Sequence, residues 1–176
     1  MPKDALRQDK SAGDAVDAIV EEWATERPGL DTTAKHVTGR IVRLAALFQQ
    51  AFGESSRTVG LENADFGILA PLRRAGVDNP LTPTELARRQ MMTSGGMTAA
   101  LDRLERRGLV ERLPNPADRR GSLVRITDEG REAIEAAVDL QADVERRLVD
   151  PLSAKEVDQL TGLLRRLLLA ADPEGR

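Results

Sequence analysis

Apolar residues recur every three or four positions in three segments of the first half of the chain, and this spacing predicts three amphipathic helices. These helices span about residues 14–26, 33–52 and 63–75. Pro28 and Gly29 follow the first, and Gly76 closes the third, as turn formers do at helix ends. Each helix has one apolar face, so each needs a surface to pack against.

Two short helices joined by a tight turn are predicted between Thr82 and Gly108. Thr82 has the pattern of an N-cap, since Pro83 stands at the first helical position and Glu85 completes a capping box. A second start signal lies at residues 93–94. The apolar stripe of this second helix is Met97, Leu101 and Leu104.

A β-hairpin is predicted directly after these helices. The runs LVERL and LVRIT are rich in aliphatic residues, and the turn formers PNPADRRGS separate them. A helix-turn-helix followed by such a hairpin is a winged helix. In this class the second helix can enter a DNA major groove, while the wing reaches the neighbouring minor groove or backbone.

Two further helices follow the hairpin. Thr127 is predicted to cap the first, Pro151 separates the two, and Ser153 with Glu156 forms a capping box for the second. The apolar stripe of the last helix consists of Val157, Leu160, Leu163, Leu164, Leu167 and Leu168. A stripe this broad would favour aggregation if it were exposed, so we expect self-association as a twofold dimer.

Charge supports a nucleic-acid partner. Residues 82–127 contain nine arginines against five acidic residues, whereas the whole chain has a net charge of −3. Basic charge is therefore concentrated in the predicted winged helix, where the fold would meet phosphate.

Composition argues against catalysis. The chain has no cysteine or tyrosine and one histidine, and we find no acid/base pair, metal cluster or phosphate-cradling loop. His36 has no ligand partner at metal-binding spacing and is interpreted as structural or surface. We expect no enzyme activity, no cofactor and no metal. Without a long apolar run or an apolar leader, we also expect a soluble, cytoplasmic protein with no membrane partner.

Three segments, LTPTELAR, SGGMTAALDRLERRGLVER and PNPADRRGSLVRIT, resemble the multiple-antibiotic-resistance regulator (MarR) family of dimeric bacterial transcription factors. The wing pattern DRRG is the most specific part. The resemblance implies a ligand-responsive repressor that binds a palindromic operator as a homodimer. Interlocked terminal helices would place two recognition helices roughly 34 Å apart, about one turn of DNA.

The predicted fold is mainly α with a small β wing, a winged helix-turn-helix lobe flanked by N- and C-terminal helices that dimerise. The expected domains are a disordered tail at 1–13, N-terminal helices at 14–60 for dimerisation and one wall of a ligand pocket, the DNA-binding lobe at 61–127 and C-terminal dimerisation helices at 128–171.

The predicted DNA contacts lie on the recognition helix and the wing tip: Ser94, Gly95, Gly96, Thr98, Ala99, Arg103, Arg119 and Arg120. Two glycines in a first helical turn are costly, at about 1 kcal/mol each relative to alanine, and close approach of a phosphate would compensate. The alternative is a loose capping turn. For the wing, the alternative is solvated arginines with one paired to Asp118. The resemblance implies instead that Asp118 braces the hairpin and Arg120 enters the minor groove.

The N-terminal segment DAIVEEWATERPGLD further resembles the urate-responsive branch of the family, in which a tryptophan, an aspartate and two arginines form an anion pocket. Trp23 and Arg112 match two of these positions, but Gly67 and Ala100 replace the aspartate and the other arginine. Trp23 could equally be a core residue. We therefore expect an effector other than urate, a larger aromatic or weakly acidic molecule that uses the extra room at Gly67 and Ala100.

One alternative function remains open. A winged helix can serve as an architectural DNA-binding protein or a protein-interaction module without an effector. Strong preference for a palindrome would separate a regulator from both.

Overall fold

The computed structural model describes residues 13–118 and 121–172, and these contain seven helices and two strands. In chain order they are α1 (Ala15–Glu26), α2 (Lys35–Arg57), α3 (Asn63–Ala75), α4 (Pro83–Arg89), α5 (Ser94–Arg106), β1 (Val110–Pro114), β2 (Ser122–Ile126), α6 (Asp128–Val149) and α7 (Ala154–Ala171). The mainly α fold with a small β wing is confirmed. The predicted disorder at 1–13 falls almost entirely outside the described residues.

Side-chain caps start most of these helices where the sequence predicted them. Thr82 with Glu85, and Ser153 with Glu156, form complete capping boxes. Thr93 and Thr127 accept hydrogen bonds from the backbone N–H three residues later, at 3.2 and 3.0 Å. Each cap satisfies an N–H group that the helix itself leaves unpaired.

The chain divides into two compact units, Met1–Leu47 and Phe48–Arg176. In the first unit Val16 is buried against Gly39, where an added Cβ would come within 2.9 Å of Val16 Cγ1. Arg40 joins the two helices by donating to Asp14 at 2.8 Å and to Asp17 at 2.7 Å. The Val16 N–H lowers the pKa of Asp14, and the Arg40 guanidinium lowers the pKa of Asp17.

The core of the second unit lies among α3, α4, α5, the hairpin and α6. Its fully buried side chains include Leu61, Ile68, Leu69, Leu72, Leu86, Met97, Leu101, Leu104, Val110, Val124 and Ile134. The first turn of α6 approaches the hairpin so closely that a Cβ at Gly130 would overlap the carbonyl oxygen of Leu109. This packing holds the recognition elements on a rigid base.

The hairpin is antiparallel, with Val110 opposite Ile126 and Pro114 opposite Ser122. Leu81, just before α4, adds an isolated bridge to Val124. The Leu81 N–H donates to the Val124 carbonyl at 3.0 Å, and the Val124 N–H donates back at 2.7 Å. The base of the wing is thereby fixed to the start of the helix-turn-helix.

Helix α2 extends to Arg57, beyond the predicted end near Phe52. Gly53 does not stop it, and this glycine lies beneath the Asn63 side chain, with the ideal Cβ position 3.2 Å from the amide. Asn63 in turn donates to the Gln49 carbonyl at 2.9 Å. Chain reversal comes later, at Gly60, whose φ is +73°.

Helix α7 buries none of its residues. Its apolar stripe, predicted from the leucine spacing, includes Leu160, Leu163, Leu164, Leu167 and Leu168, all exposed by 40% or more. No helix in the described ranges is long and apolar enough to cross a membrane.

Candidate nucleic-acid interface

Helix α5 has one buried and one solvent-facing side. Met97, Ala100, Leu101 and Leu104 are buried in the core of the second unit. The opposite side presents Ser94, Gly95, Thr98, Ala99 and Arg106 to solvent. We call these five residues the recognition face. Its small side chains at the N-terminal end allow another backbone to come close.

The first turn of α5 is an ordered cap. Thr93 Oγ1 accepts a hydrogen bond from the Gly96 N–H at 3.2 Å, and an added Cβ at Gly96 would lie 3.1 Å from the same oxygen. At Gly95 nothing lies within 4 Å of the Cβ position. Gly96 therefore belongs to the cap, whereas Gly95 is open to solvent. Thr98 Oγ1 donates to the Ser94 carbonyl at 3.0 Å, which fixes its rotamer on the recognition face.

Arg103 lies at the border of the recognition face, one turn after Ala99. Its Nη2 donates to Asp65 Oδ1 at 2.5 Å. Arg107 donates to the other Asp65 oxygen at 2.8 Å and to the Gly60 carbonyl at 2.5 Å. The C-terminal half of α5 is thus tied to the start of α3.

Arg112 on β1 pairs with two carboxylates on the solvent-facing side of α5. Its Nη2 is 2.6 Å from Asp102 Oδ1, and its Nη1 is 3.5 Å from Glu105 Oε2. The free positive charge that the effector prediction assigned to Arg112 is therefore neutralised by two carboxylates of α5. These pairs also connect the recognition helix to the wing strand.

The extra room expected at Gly67 and Ala100 is not present. The Gln90 side chain occupies the space beside Gly67, with Cδ 3.0 Å from an ideal Cβ. Ala100 is 4% exposed within the core, surrounded by the apolar side chains that α5 buries. Trp23 lies on α1 in the first unit and is 42% exposed, so the alternative of a buried core tryptophan is not observed. Whether the four positions form a ligand site stays a prediction.

The wing turn is organised by local hydrogen bonds. Asn115 Oδ1 accepts from the Ala117 N–H at 3.0 Å, and the Asp118 carbonyl accepts from the Gly121 N–H at 3.0 Å. The predicted contacts Arg119 and Arg120 lie outside the described residues. Their contact with DNA stays a prediction.

Sequence reasoning missed Asp65, the one charged side chain that is fully buried in the described part of the chain. A signal was present, because Asp65 stands at helical spacing between Leu61 and Ile68 on the apolar stripe that continues to Leu72. A charged residue within such a stripe needs a buried partner. The partners, Arg103 and Arg107, come from another helix and could not be identified from spacing alone.

Among the described residues no three His, Cys, Asp or Glu side chains group as metal ligands do. The helix-turn-helix, whose second helix presents small polar side chains to solvent, and the hairpin together define the winged helix-turn-helix class. Comparison with known proteins then places the chain within that class.

The sequence model of the MarR family matches residues 59–121. The regulator PecS of Dickeya dadantii (strain 3937) is 34% identical over 152 residues, which cover 86% of this chain and 92% of PecS. The multiple antibiotic resistance protein MarR of Escherichia coli (strain K12) is 40% identical over 106 residues, covering 60% of this chain and 72% of that protein. The chain therefore belongs to the MarR family, as the motifs predicted.

Two solved structures with DNA have the same fold. A cysteine-to-serine mutant of E. coli MarR complexed with operator DNA gives a TM-score of 0.67 at 33% identity, covering 78% of this chain and 99% of that one. Sco3205 of Streptomyces coelicolor, in complex with DNA, gives 0.69 at 27% identity, covering 81% and 94%. PecS, which the chain matches over most of its length, is named as a transcriptional regulator, and this confirms the prediction that the chain is not an enzyme.

Proposed function

We propose that this protein is a cytoplasmic, dimeric transcriptional repressor that binds a palindromic operator, with α5 in the major groove and the wing in the minor groove. The observation that supports this proposal most directly is the chemistry of the recognition face. Its first turn offers Gly95 and a rotamer-fixed Thr98 without bulky side chains, and Arg106 has no carboxylate within 4 Å among the described residues. Small polar groups with a cation at one end suit a groove lined by bases and phosphates.

Ion pairs that hold α5 against two other elements support this function. Asp65 of α3 pairs with Arg103 and Arg107, and Arg112 of β1 pairs with Asp102 and Glu105. A helix held by two elements enters a groove with little loss of conformational freedom. That pre-organisation favours affinity.

The exposed leucine stripe of α7 supports a dimer. A monomer that exposed this whole helix face would be prone to aggregation, whereas a twofold partner covers it with an identical face. Two recognition helices about one DNA turn apart then require an inverted repeat in the operator.

For the wing we propose that Arg120 enters the minor groove. The Arg120→Ala variant should weaken binding to operator and unrelated DNA alike and reduce the magnitude of the salt slope by about 0.9, the share of one neutralised phosphate. Fluorescence anisotropy across a series of salt concentrations measures both quantities. Unchanged affinity and slope would show that the wing is not a DNA contact.

We also propose that an aromatic or weakly acidic effector other than urate releases the protein from DNA. Trp23 supplies a half-exposed ring for stacking. Arg112 would have to exchange its carboxylate partners for the ligand, so an effector anion competes with Asp102 and Glu105. A ligand that prefers the arrangement unable to bind DNA shifts the population towards release.

DNA release titrated with urate and with a panel of aromatic acids tests the effector proposal. Release by micromolar urate would contradict the prediction drawn from Gly67 and Ala100. An effective ligand should lose potency in the Trp23→Ala variant. An unchanged response in that variant would remove Trp23 from the site.

Footprinting on the DNA that flanks the protein's own gene tests the regulator against the architectural alternative. A regulator protects a discrete segment that contains an inverted repeat. An architectural protein protects all duplexes uniformly, and a protein-interaction module protects none. The second or third outcome would overturn the proposed function.

A further inference from the structure

Asp65 is a fully buried carboxylate in the first turn of α3. Both of its oxygens are used: Oδ1 accepts from Arg103 Nη2 at 2.5 Å, and Oδ2 accepts from Arg107 Nη1 at 2.8 Å and from the Glu62 N–H at 3.2 Å. A buried charge is tolerated only with such partners. One carboxylate therefore controls the position of two arginines of the predicted DNA-binding region.

The Arg103 guanidinium is held in a specific orientation. Its Nε is buried and has no hydrogen-bond partner, its Nη2 is bonded to Asp65, and the side chain is still 42% exposed. The Nη1 group makes no hydrogen bond to any described residue, so its two N–H donors and the second N–H of Nη2 are left for another molecule. Because Arg103 follows Ala99 by one helical turn, this end lies beside the recognition face.

The hydrogen bond to Asp65 restricts which DNA groups the Arg103 guanidinium can bind. The side of the guanidinium formed by Nε and Nη2 is committed to the protein, so it is unavailable for paired contacts with a base edge. The remaining end, formed by Nη1 and the second N–H of Nη2, suits the oxygens of a backbone phosphate, a contact that positions the helix without reading sequence. An arginine already held by a carboxylate also loses less side-chain freedom when it binds.

We propose that Asp65 is a positioning residue for DNA binding, which acts by holding Arg103 so that its Nη1 end meets a backbone phosphate. This inference rests on the proposed function, in which α5 contacts DNA. It assigns Arg103 to phosphate rather than base recognition. Arg107, which also donates to the Gly60 carbonyl, neutralises Asp65 and anchors the end of α5.

The sign of the Asp65→Asn effect separates positioning from simple electrostatics. This substitution removes a negative charge from the DNA-binding region, so long-range electrostatics alone would strengthen DNA binding. Positioning through Arg103 requires the opposite, about tenfold weaker binding, since a charge-assisted contact is lost. The salt slope should also fall in magnitude by about 0.9, and the preference for operator over shuffled DNA should not change.

The experiment measures DNA affinity of the full-length protein by fluorescence anisotropy at several salt concentrations, below the onset of thermal unfolding. The variants are Asp65→Asn, Arg103→Ala and the double variant, with Glu111→Gln as the matched control. Glu111 is another carboxylate of the second unit paired to an arginine, Arg125, at 2.8 Å. The Glu111→Gln control should bind DNA as tightly as the wild type or more tightly. In the Arg103→Ala background, Asp65→Asn should weaken DNA binding by less than about twofold.

Arg103→Lys gives an independent test if Asp65→Asn does not fold. Lysine keeps the charge but has a single compact ammonium, which cannot bond Asp65 and present a second group outward. We expect DNA binding close to that of Arg103→Ala. Binding close to the wild type would contradict the proposal.

Other outcomes separate the two proposals. If Asp65→Asn binds as tightly as the wild type or tighter, or if it weakens binding equally with and without Arg103, the positioning role is wrong and the regulator function stands. If the wild type shows no specific DNA binding, the proposed function itself fails.

Discussion

Gly95 and Gly96 are neighbours in the first turn of α5 but have different surroundings. Gly96 faces the capping hydroxyl of Thr93, whereas the Cβ position of Gly95 is open. A glycine that nothing in the protein requires lowers helix stability. We propose that the absence of a side chain at Gly95 serves a partner outside the folded chain, a DNA phosphate at the helix N-terminus.

The Gly95→Ala variant should separate folding from DNA binding. We expect unchanged stability or a gain of up to about 1 kcal/mol, because alanine favours the helix. Operator affinity should fall about tenfold or more, because the methyl group keeps the backbone N–H groups away from phosphate. Thermal unfolding and anisotropy on the same preparation measure the two effects. If Gly95→Ala binds operator as well as the wild type, the close-approach interpretation is wrong.

At the residue scale, sequence reasoning identified exposed positions better than it identified partners. Ser94, Thr98 and Ala99 are solvent-facing, as their offset from the Met97 stripe predicted. Arg103 was expected to contact DNA and Arg112 a ligand, and both are paired with carboxylates. Helical spacing determines which side of a helix a residue occupies, but ion pairs between distant segments depend on tertiary packing.

At the scale of elements, the junction between the hairpin and α6 determines how the wing is held. Thr127 caps α6, and its hydroxyl also donates to the Gly108 carbonyl at 2.6 Å. The Thr127 N–H donates to the Leu109 carbonyl at 3.2 Å, the same oxygen that approaches Gly130. Gly108 and Leu109 thus follow the end of α5, precede the first strand of the wing and contact the start of α6.

A methyl group at Gly130 should disrupt this junction. In Gly130→Ala the new Cβ would overlap the Leu109 carbonyl and lie 2.9 Å from Ile126 Cγ1, so α6 must shift. We expect a loss of about 1–3 kcal/mol in the free energy of unfolding, measured by urea denaturation. Glu132→Ala, at an exposed position on the same helix, is the control and should change stability by less than about 0.5 kcal/mol. Equal stability of the two variants would show that the contact is not tight.

The ends of α1 and α3 and the capped starts of α4 to α7 were predicted closely, whereas the end of α2 was not. A start depends on a local cap such as Thr82 with Glu85, and these residues are adjacent in sequence. Helix α2 instead continues past Gly53, which is covered by Asn63, ten positions later in the chain. From the sequence alone, Gly53 could either end the helix or lie against another segment.

At the scale of the whole molecule, the apolar surface of α7 has no partner within one described chain. Leu163 and Leu167 are 55% and 49% exposed and lie one helical turn apart. Dimerisation through this stripe remains a proposal that the exposure supports. It predicts that charge on the stripe prevents association.

The Leu163→Lys/Leu167→Lys double variant should sediment as a monomer, whereas the wild type sediments as a dimer at micromolar concentration. Two buried ammonium groups facing their symmetry copies cannot be paired, so the interface is lost. Asp158→Lys, on the opposite face of α7, is the control and should remain dimeric. A well-folded wild-type monomer at micromolar concentration would overturn the proposal.

We propose above all that two copies of this chain bind an inverted repeat through α5. The most direct measurement is a stoichiometric titration of the protein against the footprinted segment, against the same segment with one half-site shuffled, and against fully shuffled DNA of equal length. We expect two chains per intact site and a loss of at least about tenfold in affinity when one half-site is shuffled. Equal affinity for all three duplexes would contradict it.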